Sequence, residues 1–318
     1  MNLLLIRHGE STDNVAGLLA GSRDAPLTAH GVIQARRLGQ HLAERSAEIG
    51  PVVHVFTSDL QRALKTALEV VAAQNKQTRS GDSSTGFARG ADPGNQDPGR
   101  RQQQQQQQDV EKLPLLREKD FGSREGVAYG KRRRDQDEPI RTEGDGLPLI
   151  KPETHEQMSD RMEKFVRDHL RPLLASRLTA EVGPRAETVV VVAHGIILNV
   201  LMRVLLAQFP DANSARPVDD LGSRDPLVRP AEFSIPWRNT AYTELKVALC
   251  ALTQDTRSTS AISDKATASA SLTMSVISVN NSRHLDGLKK TRGGIGSAQF
   301  DSKQKTMDSF FSRKLQGP

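Results

Sequence analysis

The stretch LLLIRHGESTDN, Leu3 to Asn14, decides how the rest of this 318-residue chain is read. Leu3 to Ile6 are aliphatic without polar alternation, the pattern of a strand buried on both faces. They run into Arg7, His8 and Gly9, so a guanidinium and an imidazole emerge at the strand's carboxyl end. The glycine beside them permits close backbone approach. Val52 to Thr57 and Thr188 to His194 have the same character, and the latter delivers a second histidine next to Gly195. Tyr242 to Leu252 supplies a last strand.

Between these runs the spacing changes to that of helices. Thr28 is placed to N-cap a helix whose Val32, Ala35, Leu38 and Leu42 share one face. Gln61 to Ala73, Glu156 to Leu174 and Ile196 to Leu206 continue the alternation. Strands alternating with helices predict an α/β three-layer sandwich, a mostly parallel sheet with helices on both faces. In such sheets the site forms beyond the carboxyl ends of the strands, where Arg7, His8 and His194 fall. Arg62 follows the run Val52 to Thr57 at a helix start, where free backbone N–H groups favour an anion.

Composition divides the chain. Residues 75–112 hold only Phe87, Ala88, Ala91 and Val110 as apolar side chains and include seven glutamines, Gln102 to Gln108. This segment is expected to be a disordered insertion. Residues 251–318, rich in Ser and Thr, read as a disordered basic tail, leaving residues 1–250 as the folded domain around the insertion. The formal charge of +6 lies wholly in the insertion and tail, and the remainder is balanced. A neutral body predicts no direct sequence-specific nucleic-acid binding. No apolar run approaches the ~18 residues of a membrane span, and the apolar start is too short for a signal peptide. With Cys250 the only cysteine, neither a disulfide framework nor a thiolate zinc cluster can form within the chain. An intracellular setting, nucleus and/or cytoplasm, is expected.

Five segments, LLLIRHGESTDN, GSRDAPLTAHG, SDLQRALKTA, LREKDFGSREG and VVAHG, occur in an order that resembles the histidine phosphatase superfamily, the phosphoglycerate-mutase-like proteins. The resemblance implies His8 as nucleophile, Arg7, Arg62 and His194 as a phosphoryl clamp, and Glu118 as proton donor. Asn14, Gly21 and Gly195 match positions facing phosphate or substrate. A neutral ring nitrogen of His8 would attack phosphorus, and cationic groups would stabilise the equatorial oxygens. That chemistry asks for no metal ion and no other cofactor, and it asks for a raised pKa at Glu118. His30, His41, His54, His155, His169 and His284 read as surface or helix histidines. Lys131 to Arg134 reads as a solvated loop, with nuclear import or substrate contact as alternatives, and Gly144 to Gly146 as a turn.

Only about thirty residues separate Gly126 from Glu156, where mutases of that superfamily resemble one another in a longer segment. Hydrolysis of a phosphomonoester, with a small phosphorylated molecule as substrate, is therefore favoured over transfer. The alternatives are a phosphoglycerate-type mutase and a non-catalytic scaffold with a phosphatase fold. Near the end, Gln304, Met307, Phe310 and Phe311 match all defining positions of Q-x-x-aliphatic-x-x-aromatic-aromatic over residues 304–311. This is similar to the PIP box with which replication and repair proteins bind the sliding clamp PCNA. One helical turn would gather Met307, Phe310 and Phe311 into an apolar plug.

Overall fold

The four aliphatic residues Leu3 to Ile6 are completely buried because the strand that carries them lies inside a sheet covered on both faces. The computed structural model describes residues 1–81, 109–129, 150–179, 186–209, 234–250, 271–289 and 295–300. Along the chain come β1 (Asn2–Arg7), α1 (Thr12–Ala16), α2 (Ala29–Glu44), α3 (Ser46–Ile49), β2 (Val52–Thr57), α4 (Gln61–Gly81) and β3 (Asp109–Lys112). There follow α5 (His155–Phe165), a π-helical turn (Val166–Leu170), α6 (Arg171–Thr179), β4 (Thr188–Ala193), α7 (Gly195–Gln208), β5 (Tyr242–Cys250) and β6 (Ser271–Asn281). The sheet order is β3-β2-β4-β1-β5-β6. The first four of these are parallel, and β5 and β6 add on antiparallel.

Successive side chains of a strand point to opposite faces. Leu3, Leu5, Val189 and Val191 therefore pack with Met162, Phe165 and Leu201 of α5 and α7. Leu4, Ile6, Val190 and Val192 pack with Leu38, Leu42, Ala67 and Val70 of α2 and α4. This is the three-layer α/β sandwich expected from the sequence. Thr28 does cap α2, its hydroxyl oxygen accepting from the Gly31 N–H at 2.9 Å. The register that matters for the site is Arg7 opposite Ala193, because it makes β1 and β4 end side by side.

Two boundaries drawn from composition are corrected. Residues 75–112 are not wholly outside the fold: α4 continues to Gly81, and Asp109–Lys112 forms edge strand β3 in parallel register with His54 to Thr57. Edge strands are held by backbone ladders, so one half-buried valine, Val110, is enough apolar content. The glutamine run lies outside the described residues. Nor is 251–318 a single tail. β6 pairs with β5 from Tyr242–Asn281 to Cys250–Ser271 and buries Leu272 and Met274 on one face. Its Val and Ile are strand-forming, and the Ser, Thr and Asn between them lower the hydrophobicity that would have revealed it. Beyond β6, Ala29 N–H donates to Ala298 O at 3.0 Å and Phe300 N–H to Leu27 O at 3.1 Å, bringing the chain back over the start of α2.

His284, read from the sequence as a surface or helix histidine, is buried beside His41 and Tyr242. Its Nε2 lies 3.0 Å from the Thr240 hydroxyl, which itself donates to Asn239 O at 2.7 Å. The imidazole is thus the donor to Thr240, and the Nδ1 lone pair is left without a donor. Burial, then His41 and Arg37 nearby, push its pKa down to about 4. The unfolded chain takes up that proton near 6.5 and the folded chain only near 4, so stability is retained above the first value and lost on acidification between them. Urea midpoints measured from pH 7.5 to 4.5 should fall less steeply for His284→Gln than for the parent chain. The remaining slope is shared by His8, His194 and His41, whose pKa values are also lowered. Identical slopes would show that His284 is not the proton acceptor.

Candidate active site

At the shared end of β1 and β4, the His8 and His194 rings lie with centroids 4.9 Å apart at 59°. Both imidazoles are buried. His8 Nδ1 is 2.6 Å from its neighbour's carbonyl, Gly9 O, which can only accept. The proton is therefore on Nδ1, and Nε2 keeps its lone pair. His194 has the opposite tautomer: Arg62 Nε–H donates to its Nδ1 at 3.2 Å, so Nε2 carries hydrogen. That Nε2 is buried and has no partner. Burial, with Arg62 and Arg7 close by, pushes both imidazole pKa values well below the ordinary value and keeps the rings neutral. One ring thus offers a nucleophilic nitrogen and the other an unspent donor.

The His8 loop is fastened on every side. His8 N–H donates to Ala193 O, Gly9 N–H to the Thr66 hydroxyl, and Glu10 N–H to the Gln34 carboxamide oxygen. Gly9 lies against Gly31 so closely that a Cβ on it would stand 2.6 Å from Gly31 O. Arg7 is mostly buried, with Nη1 donating to Trp237 O at 2.6 Å and Nε without a partner. Burial lowers its pKa, but a guanidinium stays charged in any protein. An orphaned guanidinium N–H and an orphaned imidazole N–H in one cleft are the marks of an anion site.

Arg62, 1% exposed, has a further task. It donates to Arg23 O through Nη1 and to Ala20 O and Gly21 O through Nη2, besides its bond to His194. Four of its five N–H groups therefore frame the 20–23 loop and set the His194 tautomer, leaving one for an anion. The start of α4 is not an open anion site, since Gln61 N–H is taken by Asp24 Oδ1 at 2.7 Å.

Glu118 comes to the same cleft on the loop after β3. Its carboxylate accepts from Lys119 N–H at 2.9 Å and from Ile196 and Ile197 N–H, both at 3.0 Å, at the start of α7. Those α7 donors are consequently not available to substrate. A Cβ on Gly195 would meet only Arg7, at an ordinary 3.8 Å, so packing does not demand glycine there. Gly21 is different: a Cβ on it would fall 1.8 Å from Lys119 O, and its N–H is held by Glu125. Glu125 also accepts from Ser22 and Phe121 N–H, clipping the loops of Gly21 and Glu118 together. Asn14 caps the loop reciprocally with Ser11. The structure thus brings His8, His194, Arg7, Arg62, Glu118, Asn14, Gly21 and Gly195 to one cleft.

Sequence reasoning passed over Glu125, Gln34, Thr66 and Asn239. Glu125 stands in the quoted LREKDFGSREG and Thr66 in SDLQRALKTA, and both were open to notice; Gln34 and Asn239 carry no local signal. Gln304, Met307, Phe310 and Phe311 lie outside the described residues, as do Lys131 to Arg134 and Gly144 to Gly146. Among the described residues no cluster of three or more His, Cys, Asp or Glu is arranged to hold a metal ion, and no helix is long and apolar enough to cross a membrane.

The family profile of the histidine phosphatase superfamily (branch 1) matches residues 3–82 and 100–224, well over half of the chain. The chain belongs to that superfamily. It is similar, at 28% identity over 313 residues, to a probable phosphatase of Schizosaccharomyces pombe, covering 98% of this chain and 79% of that protein. It is also similar to a probable phosphoglycerate mutase of Proteus mirabilis, 44% identical over 72 residues. That match covers 23% of this chain and 31% of the mutase, so the chain spans about a third of that relative's length. Among solved structures, Mycobacterial hydrolase 1 shares the fold with a TM-score of 0.52 at 20% identity, covering 88% of this chain and 98% of the other.

Proposed function

We propose that the chain is a phosphomonoesterase acting through a phosphohistidine, with a small phosphorylated molecule as substrate. The observation that carries this reading is the pair of opposed tautomers, His8 with a free Nε2 lone pair beside His194 with an unsatisfied Nε2–H. His8 Nε2 attacks phosphorus and the ester P–O bond breaks. Arg7, His194 Nε2–H and the last N–H of Arg62 neutralise the equatorial oxygens, so the reaction calls for no metal ion. The leaving alkoxide takes a proton from Glu118. In the second half, Glu118 accepts a proton from the water that attacks the phosphohistidine, releasing phosphate and neutral His8. The Glu118 carboxyl is held at the cleft by the N–H groups of Lys119, Ile196 and Ile197.

Hydrolysis is preferred over phosphoryl transfer between two positions of a sugar acid. The relative that aligns along nearly the whole chain carries a phosphatase name, whereas the mutase match is confined to less than a quarter of it. Turnover of phosphate esters should proceed without a bisphosphate activator and release inorganic phosphate. A strict requirement for the activator, with no phosphate released, would transfer the chain to the mutases. A phosphatase fold kept only as scaffold is disfavoured by the intact His8, Arg7, Arg62, Glu118 and His194 set.

A PCNA-like sliding clamp is proposed as a partner of residues 304–311, which would place the enzyme in the nucleus as well as the cytoplasm. Support comes from Gln304, Met307, Phe310 and Phe311 at PIP-box spacing and from flanking Lys305, Arg313 and Lys314. Phe310→Ala combined with Phe311→Ala should abolish clamp binding in a pulldown and leave hydrolysis of p-nitrophenyl phosphate unchanged. Undiminished clamp binding by that variant would refute the motif.

A further inference from the structure

We infer that Asn239 is a positioning residue, which turns the amide end of Asn14 into the anion cleft and pins the main chain bearing His8. This rests on the phosphohistidine reading and adds to it a residue that lies 231 positions from the nucleophile. Asn239 reaches the site because β5 pairs antiparallel with β1, Ile6 opposite Tyr242, which sets the turn just before β5 beneath the His8 loop.

Asn239 Nδ2 donates to His8 O at 3.1 Å and to Asn14 Oδ1 at 3.1 Å, spending both of its N–H groups. Asn14 Oδ1 also accepts from Ser11 N–H at 3.2 Å, so both lone pairs of that oxygen are occupied. The other end of the Asn14 carboxamide must then be NH₂, and among the described residues no protein acceptor receives its hydrogens. Turning the amide over would set its NH₂ against two other donors, Ser11 N–H and the Asn239 amide. Its free hydrogens, next to the main chain that carries His8, then add neutral hydrogen bonds to the cationic cradle.

The turn that presents Asn239 is itself held. Thr240 has φ of +59°, a costly conformation for a β-branched residue, and its N–H is shared between Arg7 O at 3.0 Å and His8 O at 3.2 Å. Its hydroxyl joins Asn239 O to His284 Nε2. The strained turn therefore supplies donors to the two carbonyls next to the reacting groups, with the segment after β6 packed behind it. Without the Asn239 amide, Asn14 is free to flip and to present its carbonyl oxygen to the phosphate.

The test measures p-nitrophenyl phosphate turnover and inhibition by orthovanadate for Asn239→Ala, Asn239→Asp, Asn14→Ala and Asn14→Ala with Asn239→Ala, with thermal midpoints as the check on folding. Asn239→Ala is expected to weaken vanadate binding about tenfold, the worth of one hydrogen bond to a charged group. Asn239→Asp, which sets a carboxylate against two oxygens, should weaken it more. In the Asn14→Ala background, removing Asn239 should weaken vanadate binding only by what its bond to His8 O contributes, so the two losses together fall short of their sum. Unaltered vanadate affinity in a folded Asn239→Ala protein, or losses that simply add, would overturn the inference while the phosphatase reading stands. A parent chain that binds vanadate normally but turns over no ester would sink the phosphatase reading and leave the Asn239 assignment measurable by affinity. A parent that binds no vanadate would end both.

Discussion

His8→Ala is expected to abolish turnover, by on the order of 10⁴-fold or more, and to leave no phosphoenzyme after incubation with labelled substrate. The size follows from the lack of a substitute. The only other imidazole in the cleft, His194, has its Nε2 protonated by virtue of the Arg62 bond to Nδ1 and so cannot attack phosphorus. Glu118 has its oxygens tied to three backbone N–H groups. The loop should hold its shape, because the backbone bonds of His8, Gly9 and Glu10 do not involve the imidazole. The parent chain should yield an acid-labile, base-stable phosphoryl group, as a phosphohistidine gives. Residual phosphoenzyme in the folded variant would move the nucleophile elsewhere.

Arg62→Lys is expected to cost both stability and activity, and to do so although charge is conserved. The guanidinium serves His194 Nδ1, Ala20 O, Gly21 O and Arg23 O in a fixed planar fork, and one ammonium cannot reach all four. At a site 1% exposed, each acceptor left without a donor costs about 1–3 kcal/mol, so a loss of roughly 3–5 kcal/mol is expected after partial relaxation. His194 would also lose the bond that selects its tautomer, and the 20–23 loop its tie to the site. A fall in kcat/KM of about 10²–10³-fold should accompany the change. Denaturant midpoints and p-nitrophenyl phosphate kinetics measure the two effects separately. Near-normal stability with a loss confined to substrate affinity would make Arg62 a phosphate ligand and nothing more.

How far the sequence carried these conclusions differs from element to element. The parallel core was legible because Leu3 to Ile6 and Thr188 to Ala193 are too uniformly apolar to be anything but strands buried on both faces. β3 and β6 were not, since one is an edge strand with a single valine and the other is diluted with serine and threonine. Both owe their order to ladder bonds with a strand already in place, which composition does not register. The site residues on motifs were found; Asn239, which stands in no motif and acts through two 3.1 Å bonds, was not.

By itself the sequence determined the α/β class, the superfamily and the chemical groups delivered to the strand ends, because these depend on local apolar pattern and on residue type in order. Only the tertiary structure decided which nitrogen of each histidine bears the proton, that Arg62 frames a loop as much as it meets an anion, and that the C-terminal segment returns to the fold. Those outcomes turn on donors and acceptors that lie tens to hundreds of residues apart along the chain. A hydrogen bond is satisfied by distance and direction in space, and neither is written in the spacing of residues.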